Sequence, residues 1–93
     1  MMKIIVQFQG PLAKQLRDGK IVLDCSDGCS LFEVLTKLIE TESSVYDVWS
    51  SPETMDRDAL ILCNDSDIGL TGGLETELND GDILIVLPLI HGG

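Results

Sequence analysis

The chain has 93 residues and a mass of 10.1 kDa, the length of one domain, so a tandem of catalytic and cofactor domains is excluded. Hydrophobic residues make up 44% and aromatics only 4%, as a dense aliphatic core requires in a domain that hides roughly 60 to 65% of its unfolded surface. A net charge of -10 repels phosphate backbones and anionic headgroups, which excludes direct binding to nucleic acid or membrane surfaces.

The charge is uneven. Residues 1–37 hold five cations and four acids, whereas from residue 38 onward one cation, Arg57, stands against twelve acids, leaving that part at -11. Such a surface favours a basic partner face, and it equally keeps an apolar domain soluble. No apolar stretch reaches the roughly 18 residues of a membrane span, and the opening one is broken by Gln7, Gln9 and Gly10, unlike a signal peptide. A cytoplasmic protein is expected. Three cysteines, Cys25, Cys29 and Cys63, cannot form a complete disulfide framework. With one His and no CxxC pair they lack the spacing of a zinc site. Cys25 and Cys29 lie close enough around a turn for a strained or regulatory disulfide, but the expected state is three reduced thiols, with Cys63 a small core residue.

In chain order, residues 2–9 alternate, with Ile4, Val6 and Phe8 on one side, as a half-buried strand does. Gly10-Pro11 interrupts it, Asp18-Gly19 suits a turn with positive φ, and residues 20–25 read as a second strand with Ile21, Leu23 and Cys25 on one side. The two form a long hairpin. Ser30 with Glu33 three residues on is a capping box. After it, Leu31, Val34, Leu35, Leu38 and Ile39 trace one face of a helix that ends near residues 40–42. Residues 43–58 are irregular: Trp49 covers the helix end or anchors an interface, and Pro52 closes any short helix there. Residues 59–63 are a strand, closed by a turn at Asn64-Asp65-Ser66-Asp67 that lacks the calcium-loop pattern. Gly72-Gly73 suits a tight turn before a short element, and residues 79–82 are a strong turn signal. The five aliphatics from Ile83 to Leu87 then predict a central strand buried on both sides, which Pro88 releases from the sheet around Leu89. The predicted class is α+β, a mixed sheet with one main helix on one face and the last strand central.

The remaining chemistry is in the last residues, His91-Gly92-Gly93. Two glycines without Cβ atoms allow a backbone to thread a narrow channel and present a terminal carboxylate to another protein. Coupling to AMP turns that poor electrophile into one that a sulfur nucleophile or an amine can attack. Residues 1–90 are read as the folded domain and residues 91–93 as a flexible tail. The domain has no convincing base and nucleophile constellation and is not expected to be an enzyme.

Residues 60–67, residues 73–86 and the run Leu89-Ile90-His91-Gly92-Gly93 together resemble the ubiquitin-related modifier family, within the β-grasp sulfur carriers of the MoaD and ThiS types. That resemblance implies a β-grasp (ubiquitin-like) fold and activation of Gly93, with Gly92, by an ATP-consuming, ubiquitin-activating-like adenylating enzyme. The adenylate would become a thiocarboxylate through a persulfide donor. No cofactor would be bound by the domain itself. Leu89, Ile90 and His91 would dock the tail. The product would donate sulfur for tRNA thiolation, join target lysines, or both. Two alternatives stay open: a MoaD-type small subunit of molybdopterin synthase, and a passive ubiquitin-like interaction module in which the sheet surface matters and the tail does not. A plant-type ferredoxin on a similar fold would need four cysteines at another spacing.

Overall fold

Apolar alternation in the first 25 residues builds one half of the sheet. The computed structural model describes residues 1–16 and 19–89; Arg17 and Asp18, half of the first expected turn, and Ile90, His91, Gly92 and Gly93 lie outside the described residues. Strand β1 (Met2–Phe8) pairs antiparallel with β2 (Lys20–Cys25), Ile4 opposite Leu23 and Val6 opposite Ile21. Met2, Ile4, Val6, Phe8, Ile21 and Leu23 are all buried. A 3-10 helix at Pro11–Gln15 fills the connection. Gly19 closes it with φ 82°, where a Cβ would sit 2.8 Å from the Phe8 carbonyl oxygen. Only glycine fits there.

Helix α1 (Leu31–Thr41) starts at the expected cap. The Ser30 hydroxyl oxygen accepts the Glu33 N–H at 3.2 Å, and the Glu33 carboxylate lies 3.5 Å from the same hydroxyl. The five residues of the predicted stripe, Leu31, Val34, Leu35, Leu38 and Ile39, are all buried. Helix α2 (Ser43–Tyr46) follows. Trp49 is 3% exposed and belongs to the core, which removes the interface-anchor reading.

Pro52 corrects the sequence reading, because it opens a helix where it was expected to close one. Helix α3 (Pro52–Asp58) has Ser51 as its cap, whose hydroxyl oxygen accepts the Thr54 N–H at 3.2 Å. At the first helical position the missing proline N–H has no intrahelical partner to lose, and φ is already set for the helix.

Strand β3 (Ala59–Cys63) turns through Asn64 and Asp65 into a two-residue strand β4 (Ser66–Asp67), so only the first half of the expected four-residue turn is turn. Asn64 at φ 49° and Asp65 at φ 71° give the left-handed pair that a tight hairpin needs. Short 3-10 helices at Ile68–Leu70 and Gly73–Glu75 lead to β5 (Ile83–Pro88).

The sheet order is β2-β1-β5-β3-β4, with β5 parallel to β1 and antiparallel to β3. The last strand is therefore central, as expected of an α+β β-grasp sheet. It is not buried on both sides. Leu84 and Val86 are fully buried, while Ile83, Ile85 and Leu87 retain exposure. The helices cover one face, and nothing among the described residues covers the other.

Replacing Ser51 by Ala removes the α3 cap and should lower the unfolding free energy by about 1 kcal/mol, measured by urea denaturation. A neutral result would mean that no helix begins at Pro52.

Candidate functional site

The predicted reactive group is at the end of the chain, so what matters first is how the fold delivers that end. Strand β5 crosses the middle of the sheet, and its last residue, Pro88, pairs with Ala59. The Leu89 N–H then donates to the Asp58 carbonyl at 3.0 Å, a last tether at the junction of α3 and β3. Leu89, 48% exposed, is the one expected docking residue that the structure places. The others, Ile90 and His91, and the activation pair Gly92 and Gly93 lie outside the described residues.

The start of β5 is held by a buried carboxylate. Asp82 Oδ1 accepts the Asn64 side-chain amide at 2.9 Å, and Oδ2 accepts the Asn79 N–H at 2.8 Å. Asn64 also takes the Ile83 N–H on its side-chain oxygen at 3.0 Å, and its own N–H donates to the Ile83 carbonyl at 2.9 Å. The Cys63 thiol lies 3.8 Å from Asp82 Oδ2, and burial together with the Asp82 charge pushes that thiol up. Asn64 thus closes the β3–β4 hairpin and locks β5 beside β3. The sequence marks both turns but not that one side chain joins them.

The uncovered face was missed from sequence. Ile5 stands opposite Val22 on one side and Ile83 on the other; Ile85 faces Leu62, and Leu87 faces Leu60. All of these keep partial or full exposure. Alternation carries the row along β5 through Ile83, Ile85 and Leu87 to Leu89, so the apolar strip runs to the root of the tail. Its other end is bounded by the Lys3–Asp24 ion pair at 2.7 Å, where the Lys3 hydrogen bond and charge hold the Asp24 carboxyl below its usual value. One amphipathic helix in 93 residues was the available signal, since it can cover only one side of a sheet.

Of the twelve acids after residue 37, only Asp82 is buried, so nearly all of the predicted negative charge does reach the surface. A groove of about 720 Å³ on the helical side is lined by Phe32, Ile39, Tyr46 and Pro52 among others, and no residue of β5 lines it. Among the described residues no group of three or more His, Cys, Asp and Glu could hold a metal ion, and no helix is long and apolar enough to cross a membrane.

This sheet order, with a central last strand that ends at an exposed apolar root, defines a ubiquitin-like β-grasp protein. Small archaeal modifier protein 1 of Methanosarcina acetivorans has the same fold, with a TM-score of 0.77 at 24% identity, covering 100% of this chain and 98% of that one. The Amycolatopsis orientalis BexX/CysO complex contains another such chain, with a TM-score of 0.68 at 23% identity, covering 97% and 99%. The model of the Urm1 (Ubiquitin related modifier) family matches residues 3–93, and the chain belongs to that family. It is 32% identical over 100 residues to Ubiquitin-related modifier 1 of Yarrowia lipolytica, covering 99% of this chain and 100% of that protein. It is also 43% identical over 44 residues to the sulfur carrier protein CysO of Mycobacterium tuberculosis, a match that spans about half the length of that relative, 47% of each chain. The family is one of small modifiers and carriers and not of catalysts.

Asn64→Ala removes two side-chain hydrogen bonds, one to a buried carboxylate, and forces alanine into left-handed backbone. The expected loss is about 2 to 4 kcal/mol. Asn64→Gly should recover the backbone part alone, about 1 kcal/mol. Urea denaturation of both measures this; a loss below about 0.5 kcal/mol for Asn64→Ala would remove Asn64 from the role described.

Proposed function

We propose that the protein is a cytoplasmic ubiquitin-like sulfur carrier and modifier whose reactive group is the Gly93 carboxylate. The observation that supports this most is a central strand, in a chain whose family match runs to residue 93, that ends on an exposed apolar root directly before Ile90-His91-Gly92-Gly93. A Gly93 carboxylate oxygen attacks the α-phosphate of ATP on a ubiquitin-activating-like enzyme and expels pyrophosphate. A persulfide sulfur then displaces AMP from the carbonyl, and a second thiol releases the thiocarboxylate by forming a disulfide with the donor. The thiocarboxylate donates its sulfur in tRNA thiolation, and the activated carbonyl also serves to acylate target lysines. Family membership favours this reading over a MoaD-type subunit of molybdopterin synthase.

The domain's part is recognition. The strip from Ile83 to Leu89 gives the adenylating enzyme an apolar surface continuous with the tail, which Ile90 and His91 extend. The surface acids steer encounter with a basic enzyme face. A passive interaction module would use the same strip and leave the tail idle, and the tail therefore separates the two readings.

Deleting Gly93, or adding a residue after it, should reduce ATP–pyrophosphate exchange by the cognate adenylating enzyme by at least about 100-fold and leave the unfolding midpoint unchanged. Full cellular activity of the deletion variant would instead establish the passive module. Association with the enzyme should slow by about tenfold or more as salt rises from low to several hundred millimolar; a salt-insensitive on-rate would contradict the steering role of the acids.

A further inference from the structure

The end of the sheet away from Leu89 carries a second reactive arrangement. Cys25 is the last residue of β2, opposite Met2, and Cys29 immediately precedes the α1 cap Ser30. Between them the chain doubles back, with Gly28 at φ 77° and the Cys29 N–H donating to the Ser26 carbonyl at 3.1 Å. This brings the two Sγ atoms to 2.7 Å, within an ångström of the roughly 2.05 Å of a covalent S–S bond. Both thiols open on a small cavity of about 230 Å³ that Asp24, Glu33 and Lys37 also line. Cys63 cannot join them. It lies on β3, and β1 and β5 separate β3 from β2, three strand spacings or about 14 Å, well beyond the roughly 7 Å Cα separation that a disulfide spans.

We propose that Cys25 and Cys29 form a dithiol oxidation site that takes a small neutral peroxide and closes into a reversible disulfide. Cys25 is the more accessible of the two and reacts first: its thiol gives up a proton, the thiolate attacks one peroxide oxygen, breaks the O–O bond and becomes a sulfenic acid, and the hydroxide released takes that proton and leaves as one water. The Cys29 sulfur then attacks the Cys25 sulfur, and the departing hydroxide takes the Cys29 proton and leaves as a second water. Two thiols and one hydrogen peroxide give one disulfide and two waters. The order of events follows the surroundings, because Cys29 is 3% exposed. Burial, the Cys25 contact and the Glu33 charge push its thiol up to about 12, which keeps it protonated until a sulfenic acid is beside it. The cavity, at about 230 Å³, admits a small peroxide and is too small for a bulky disulfide such as oxidised glutathione, and its carboxylates, Asp24 and Glu33, are offset by Lys37 and the N-terminal ammonium.

The bond would tie the end of β2 to the start of α1. The Cys29 carbonyl already accepts the Leu78 N–H at 2.9 Å, and the Leu31 N–H donates to the Thr76 carbonyl at 2.8 Å. Oxidation therefore pins the segment that leads into β5 as well. Because the site stands at the opposite end of the sheet from Leu89, this inference does not rest on the reading of the tail.

The test uses the full chain, reduced and then exposed to stoichiometric hydrogen peroxide, with alkylation under denaturing conditions and peptide mass mapping. The expected result is a Cys25–Cys29 disulfide, an alkylated Cys63, reversal by dithiothreitol, and oxidation at least about tenfold slower with oxidised glutathione. In Cys29→Ser, dimedone should trap a sulfenic acid at Cys25, while Cys25→Ser should leave Cys29 unmodified. Alkylation of both cysteines after peroxide, or disulfide-linked dimers through Cys63 instead, overturns the proposal. Equal rates with the two oxidants overturn its selectivity, and a dimedone adduct on Cys29 in Cys25→Ser overturns the order.

Discussion

A carboxylate buried without a cation is costly unless hydrogen-bond donors surround it, and Asp82 is the one buried charged side chain among the described residues. Its donors, the Asn64 amide and the Asn79 N–H, come from two turns far apart in sequence. The Asp82 carbonyl meanwhile accepts the Ile5 N–H at 3.0 Å. These bonds allow β5 to start at only one place, beside Ile5 of β1 and Asn64 after β3. Hydrogen bonds to a charged group contribute about 1.5 to 3 kcal/mol each, enough to fix the register against a slip that would turn Leu84 and Val86 outward. The position of Leu89 is set from this end.

Covering only one face of the sheet has a functional consequence. The core face buries Ile4, Val6, Ile61, Leu84 and Val86 against α1, and the domain closes on that side. The other face leaves an aliphatic row that no helix needs and that ends beside the tail. Under the proposed function, the adenylating enzyme holds the domain by such a surface while the terminus enters its active site, so that docking and chemistry occur at neighbouring but separate places. Charge acts at longer range: in the proposed function the surface acids bias encounter and leave the apolar strip to make the close contact.

Most of the fold was legible because local rules and global packing agree. Alternation gave the hairpin, the Ser30–Glu33 spacing gave the start of α1, and the five-residue stripe gave its buried face. The errors have separate physical causes. Pro52 carries the same stop signal whether it ends one helix or begins the next, and only the Ser51 hydroxyl bonded to the Thr54 N–H distinguishes them. A run such as Ile83 to Leu87 reports apolarity on both faces without reporting whether anything covers the second one. Asn64 read as a turn residue, which it is, but its bonds to Asp82 and Ile83 are tertiary and leave no periodic trace. Of the candidate site, Leu89 is placed as the exposed root, whereas Gly92 and Gly93 lie outside the described residues and were read from their chemistry alone.

The two sulfur sites differ in kind. In the readings proposed above, the dithiol at Cys25 and Cys29 records the oxidant level through the protein's own thiols, and the carboxyl end takes its sulfur from a donor. The second is central, and intact-mass analysis of the protein purified from its own cells tests it most directly. The account predicts a fraction heavier by one oxygen-to-sulfur exchange, mapped to Gly93, together with Gly-Gly remnants on lysines of other proteins. Recovery of an ordinary carboxylate alone at Gly93, with no such remnants, under growth conditions in which thiolated tRNA is being made, would contradict it.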